Sequence, residues 1–410
     1  MAVDAGRTRS RRAGAALAGA LGRCPGGGGP LPGHRAGTGG GALRALRHRH
    51  RGDGGSRGPH GLRRVRPAAA HLLPRVLAPG FSPGVPCRRG GVPVILPARV
   101  RRFPWPLEGD RYRYSVNVEP APRVHRTAAG EWGGAVLDFN EAYETELAER
   151  AAILGRDPGR HVERGHMRAA SWDALLHLLS EAAATDPAMT LASCGDREFH
   201  WENTRLGVAR RFRFGDDDSL GEPPLRFAAS QVPDDIVLLD ERGGRLFADA
   251  GVVTFASNWS IRFVLGMSFT ELHGPVPRDF ADGAIPRAER FLLGMQPGDC
   301  YRRLNWSSTV GHRLDASLET YDEWGAERGR MSDIGDDLHL RVEVQHLIRL
   351  PMSSSIMFLI RTHLLPMREL VLIPAWREQF AAVLAELPDE MADYKGYGEI
   401  RPELLAWLRR

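Results

Sequence analysis

Residues 338–367 read LHLRVEVQHLIRLPMSSSIMFLIRTHLLPM, an apolar hairpin pattern in which Arg341, Glu343 and Gln345 occupy every second position of the first strand. Side chains alternate across a strand, so these three share one face, and Leu340, Val342 and Val344 take the other. A solvated outer face of an antiparallel sheet produces the same alternation. A charged row inside so apolar a hairpin also suits a lined pocket, and the pattern alone leaves both readings open.

The remaining periodicity predicts a mixed order of elements. Residues 141–154 read as a helix, and Ser171 can cap a second in which Trp172, Leu175, Leu176 and Leu179 share a face. Strand patterns follow at 198–203, 208–214, 235–240 and 245–250, the last two flanking Glu241-Arg242-Gly243-Gly244, a hairpin turn in which glycine takes positive φ. Residues 252–255 and 261–267 extend the β-rich centre, a helix at 286–295 leads into a strand at 301–306, and the 338 hairpin comes next. Pro374 suits a first helical turn, after which Trp376, Phe380, Val383, Leu384 and Leu387 form one apolar stripe. This order predicts an α+β fold, an antiparallel sheet with helices before, across and after it. No internal repeat is visible.

Composition sets off residues 1–100. They hold 18 Arg, no Lys and two acids (Asp4 and Asp53), a surplus of 16 positive charges, so the rest of a chain of net charge +5 carries −11. The same stretch has 22 Gly and 11 Pro, above the roughly 25–30% that marks low-complexity chain. Such a segment cannot bury enough apolar surface to offset its ordering entropy. We read it as a disordered leader or a mis-started extension of a high-GC gene, in which one Lys (Lys395) stands against 54 Arg. Arg11 and Arg12 before a short Ala-rich stretch only faintly match an export signal, and an Arg-rich, acid-poor leader also suits an organelle transit peptide. No aromatic residue is interleaved before Phe81, which argues against nucleic-acid binding. Residues 101–410 have an ordinary globular composition, with no run near the ~20 apolar residues that span a bilayer. Cys24, Cys87, Cys194 and Cys300 form no CxxC pair, which argues against a disulfide scaffold or structural zinc and suits a reducing, cytoplasmic setting.

Three stretches carry candidate chemistry. In Leu272-His273-Gly274-Pro275-Val276-Pro277, two prolines stiffen the loop and Gly274 permits close approach, so an imidazole is presented from a fixed backbone, as an axial metal ligand requires. A histidine that merely caps the preceding turn gives the same sequence. Arg302-Arg303-Leu304-Asn305-Trp306 can bind carboxylates, or can be surface arginines around one core tryptophan. The third is the Arg341, Glu343, Gln345 row. A non-haem iron site drawn from His200, Glu202, His339 and Glu343 has no second histidine at a supporting spacing.

Taken in order, HGPVP, RLNW, LRVEVQHLIRLP and MFLIRTHLLP resemble the haem-dependent oxidative N-demethylase α-subunit family, and FPWPLEGDRYRYSVNVEP resembles its opening. The resemblance covers about residues 103–410. It implies a PAS-like haem domain that oxidises a small secondary amine, dimethylamine in the characterised activity, to a primary amine and formaldehyde. It also implies haem b, with electrons from NADPH through separate flavin and iron–sulfur reductase components. By the same resemblance His273 is the proximal haem ligand and metal-binding residue, Glu343 the catalytic carboxylate that binds substrate, and Arg303 and Arg341 are candidates for the haem propionates. Val344 and His346 depart from the family pattern, but alternation turns both away from Glu343. His363, standing where an aromatic residue is common, reads as core filling. No GxGxxG fingerprint, ferredoxin-type cysteine run or flavin signature is present, so an oxidase of this kind needs a partner reductase. A non-catalytic haem-binding PAS-like sensor is the alternative, because fold alone does not choose between sensor and enzyme. The charged Glu343 favours the enzyme, since a diatomic gas needs no counter-ion.

Overall fold

The structure is a computed structural model that describes residues 22–23, 96–277 and 283–410. Most of the proposed leader therefore lies outside the described residues. The fold is already under way before residue 101: a short helix, Ala98–Arg101, buries Val100 completely in a core cluster that Leu96 also joins.

Seven strands make the main sheet. In chain order they are β1 (Glu119–Pro120), β2 (His161–Glu163), β3 (Asp235–Arg242), β4 (Arg245–Val252), β5 (Cys300–Val310), β6 (Leu338–Arg349) and β7 (Ile356–Pro366). Their order across the sheet is β1-β5-β6-β7-β3-β4-β2, with every pairing antiparallel. The Ile261–Val264, Phe269–Leu272 and Ala284–Gly294 helices lie between β4 and β5 in the chain. This arrangement is α+β and compatible with a PAS-like sheet. A smaller sheet includes Met189–Gly195, Glu198–Asn203 and Val208–Arg213, against which the Arg168–Thr185 helix packs.

Local chemistry explains most boundaries. The β3–β4 hairpin closes through Gly243 and Gly244 at φ 57° and 73°, the positive values that a two-residue turn between twisted strands demands. Pro374 opens the Pro374–Glu386 helix, and Trp376, Phe380, Val383 and Leu384 are its buried face. Three expectations are corrected. Ser171 is no cap, because the helix starts at Arg168 and carries Ser171 buried inside it. Residues 253–255 lie beyond the end of β4. The segment expected as a strand at 261–267 is instead a short helix, Ile261–Val264. There Ser260 caps the first turn by accepting from the Phe263 amide, a local bond that outweighs the β-like apolar pattern. Cys300 is a free cysteine.

The sheet is buried on both faces. Val237, Leu239, Leu347 and Ile356 meet the Phe269 and Ile285 helices on the front. On the rear, Ile236, Leu238, Ile348 and Leu359 join the core under the Arg168–Thr185 helix. Trp306, Leu340, Val342 and Leu365 join a second rear core built by the C-terminal helices. In that second core Trp376, 2% exposed, stacks on Trp105 with ring centroids 4.6 Å apart. Trp376→Ala is expected to cost about 3–5 kcal/mol, read as a lowered midpoint in urea unfolding of the full chain.

Candidate active site

Register places the charged row. Arg303 lies opposite Gln345, Asn305 opposite Glu343, and Glu343 in turn opposite Thr362, so three neighbouring strands deliver these side chains to the front face. Arg341, Glu343 and Gln345 are 0%, 5% and 6% exposed, which excludes a solvated outer face. A charged group is retained at such a position only when it is paired or hydrogen-bonded.

Glu343 is held from three sides. Arg341 Nε donates to Oε1 at 3.3 Å, while Asn305 Nδ2 and Gln345 Nε2 donate to Oε2 at 3.3 and 3.0 Å. Arg303 Nη1 donates to Gln345 Oε1 at 2.6 Å, which fixes the amide so that its NH2 faces Glu343. Arg303 Nε also donates to the Val116 carbonyl at 3.0 Å. Arg341 is fully committed inside the protein. Besides Glu343 it bonds the carbonyl of Leu314 at 2.9 Å, the carbonyl of Phe255, and Thr362 Oγ1 at 3.2 Å. With no exposed surface and every guanidinium nitrogen bonded inside the chain, Arg341 anchors Glu343. Arg303 is half-buried at the other end of the row.

His273 ends the Phe269–Leu272 helix, which a Ser268–Glu271 capping box fixes at its start. Its ring lies 4.3 Å from that of Phe269, and Nδ1 is 2.7 Å from the Phe269 carbonyl oxygen. A carbonyl only accepts, so Nδ1 carries the hydrogen and Nε2 the lone pair. The imidazole satisfies the preceding turn, and in doing so it leaves Nε2 as its basic nitrogen. Among the described residues Nε2 has no hydrogen-bond partner. Burial pushes the His273 pKa down to about 4, with the Phe269 carbonyl opposing and nearby Arg303 adding to the effect, so the ring is neutral near pH 7. A neutral imidazole with an oriented Nδ1–H fits the axial-ligand role for haem iron. His273 thus lies within electrostatic reach of Arg303, which connects through Gln345 to Glu343.

A model of the family described as haem-dependent oxidative N-demethylase, alpha subunit-like, matches residues 130–405. The chain belongs to this family. The matched region contains His273, Arg303, Arg341 and Glu343.

Other candidate centres do not assemble. The His166, Asp240 and Asp249 side chains converge closely enough for a metal, but the Arg242 guanidinium bonds both carboxylates and supplies the positive charge. Among the described residues no other group of three such ligands converges, so the iron site drawn from His200, Glu202, His339 and Glu343 is not formed.

Sequence reasoning missed Lys395. Its ammonium donates to the Trp306 carbonyl at 2.8 Å and lies 4.4 Å from the Trp306 ring centroid, behind the strand that carries Arg303 and Asn305. Its standing as the one lysine among 54 arginines was the available signal. Burial, aided by Arg303 and opposed by Glu343, lowers its pKa to about 7. An unfolded lysine titrates near 10.4, so between about pH 7 and 10 the unfolded chain binds more protons than the folded one, and stability rises with pH. Lys395→Met is expected to remove this rise. Urea midpoints at pH 7, 8 and 9 check it, and a wild-type midpoint that tracks the variant's across the series contradicts it.

Proposed function

We propose that this protein is the haem-bearing subunit of an oxidative N-demethylase acting on a small secondary amine of the dimethylamine type. The observation that carries the reading is the buried Glu343 carboxylate on the sheet face against which the Phe269–Leu272 helix, ending in His273, packs. The overall change converts dimethylamine, O2, two electrons and two protons to methylamine, formaldehyde and water. Haem, when bound, supplies oxygen activation, and the chain's residues bind and orient the groups around it.

His273 would hold the iron through Nε2, the nitrogen that the Nδ1–H bond to the Phe269 carbonyl leaves with its lone pair. Arg303, half-buried at the end of the row, is the residue we assign to a propionate. Glu343 binds the substrate. A secondary ammonium is costly to bury without a counter-charge, and a carboxylate held at both oxygens gives it one in a fixed position. Asn305 and Gln345 keep Glu343 from rotating, so that the N-methyl group is presented in one orientation. Glu343 then accepts the ammonium proton as the methyl group is oxidised. Electrons enter from a separate reductase chain that draws on NADPH through flavin and iron–sulfur centres. No helix among the described residues is long and apolar enough to cross a membrane.

The test is the visible spectrum of the full chain expressed with haem supply, beside His273→Ala. The expected result is a strong Soret band that shifts on reduction in the wild type and is lost or displaced in the variant. A folded wild-type protein that takes up no haem overturns the assignment.

A further inference from the structure

Behind the Glu343 row, the rear face of the sheet floors a cavity of about 650 Å³. Its floor is Arg302 from β5, Val344 and His346 from β6, and Arg361 and His363 from β7. Register brings these together around Val344, since Arg302 pairs with His346 and Val344 with Arg361. The hairpin of Val124–Arg126 and Glu131–Gly133 covers one side, with Trp132 lying 4.4 Å from the Arg302 guanidinium. The volume falls in the range of small-molecule sites, roughly 300–1,000 Å³.

The floor carries more donors than the protein satisfies. Arg302, Arg361 and His346 are 1%, 2% and 1% exposed. Arg302 Nε and Nη2 reach Glu119 at 3.1 and 2.7 Å, yet Nη1 has no partner. Arg361 Nη1 pairs with Glu146 at 2.6 Å, yet Nε and Nη2 have none, and neither nitrogen of His346 is bonded. A buried polar group left without a partner costs about 1–3 kcal/mol, so the four donors among these five nitrogens call for acceptor atoms from outside the chain. His346 is neutral, because burial and Arg302 press its pKa down to about 3, and it offers a single N–H. Glu146, Asp138 and Asp234 surround Arg361, and Asp138 also lines the cavity, so the floor has no surplus positive charge for a phosphate and can take at most a monoanion. The walls add Trp132, Pro104 and Leu137, an apolar lining for the body of the ligand.

We propose that this rear cavity is a binding site for a small organic carboxylate with an apolar body, its carboxylate received by Arg302, Arg361 and His346. The site is separate from the Glu343 face, and the proposal does not depend on the demethylase reading.

The test uses the full chain, expressed with haem supply, and 4-fluorobenzoate as the probe, followed by 19F NMR line broadening, with neutral 4-fluorobenzamide as the control. Saturable binding of the benzoate is expected, with at least tenfold weaker binding of the benzamide. His346→Leu removes a donor from the floor, and Ala135→Phe fills the cavity from its wall. Each is expected to weaken benzoate binding at least tenfold, with an unchanged far-ultraviolet dichroism spectrum reporting the fold. Arg101→Ala, an exposed rim change, provides a variant that leaves the core untouched and is expected to weaken binding several-fold. No binding, equal binding of benzoate and benzamide, or benzoate binding unaffected in all three variants overturns the proposal and assigns the cavity to water.

Discussion

The site depends on the burial of a carboxylate in the middle of a sheet. Glu343 is held there because Arg341 is itself buried and fully bonded, so the pair forms a fixed electrostatic unit rather than a surface ion pair. Removing one member of such a pair strands the other, which is why buried pairs are costly to break even where they contribute little net stability. The surrounding architecture follows from this requirement. Three long antiparallel strands are needed to bring Asn305, Gln345 and Thr362 to the same point, and both faces must be covered to keep water away.

His273 solves the complementary problem on the facing element. A short helix with a capping box fixes the backbone, and the Phe269 carbonyl fixes the ring. Satisfying one ring nitrogen locally leaves Nε2 as the basic one, which is what the proposed ligand role requires. The low pKa of the ring follows from the same burial and keeps it neutral.

Much of this was legible in the sequence, and the failures have physical causes. The period-2 alternation correctly put Arg341, Glu343 and Gln345 on one face and Val344 and His346 on the other, because strand geometry leaves no other choice. Alternation does not report burial, so the same pattern allowed a solvated face until helices were seen on both sides. The partners of Arg341, the carbonyls of Leu314 and Phe255, come from remote loops that no local spacing reveals. The 261–267 segment was misread because one serine cap outweighed its apolar β-like composition. Lys395 left only a compositional trace, and the rear cavity left none, since its floor is assembled by pairing across three strands. His363, which sequence placed in the core, is half-buried at that cavity and meets Phe103 edge-on.

The central claim is that Glu343 gives a cationic amine its counter-charge, and the most direct measurement is a spectral titration of the ferric haem-loaded full chain with dimethylammonium chloride. The account predicts a saturable Soret perturbation in the wild type and at least hundredfold weaker binding in Glu343→Gln, whose haem spectrum without amine is unchanged. Equal amine affinity in the two proteins contradicts it.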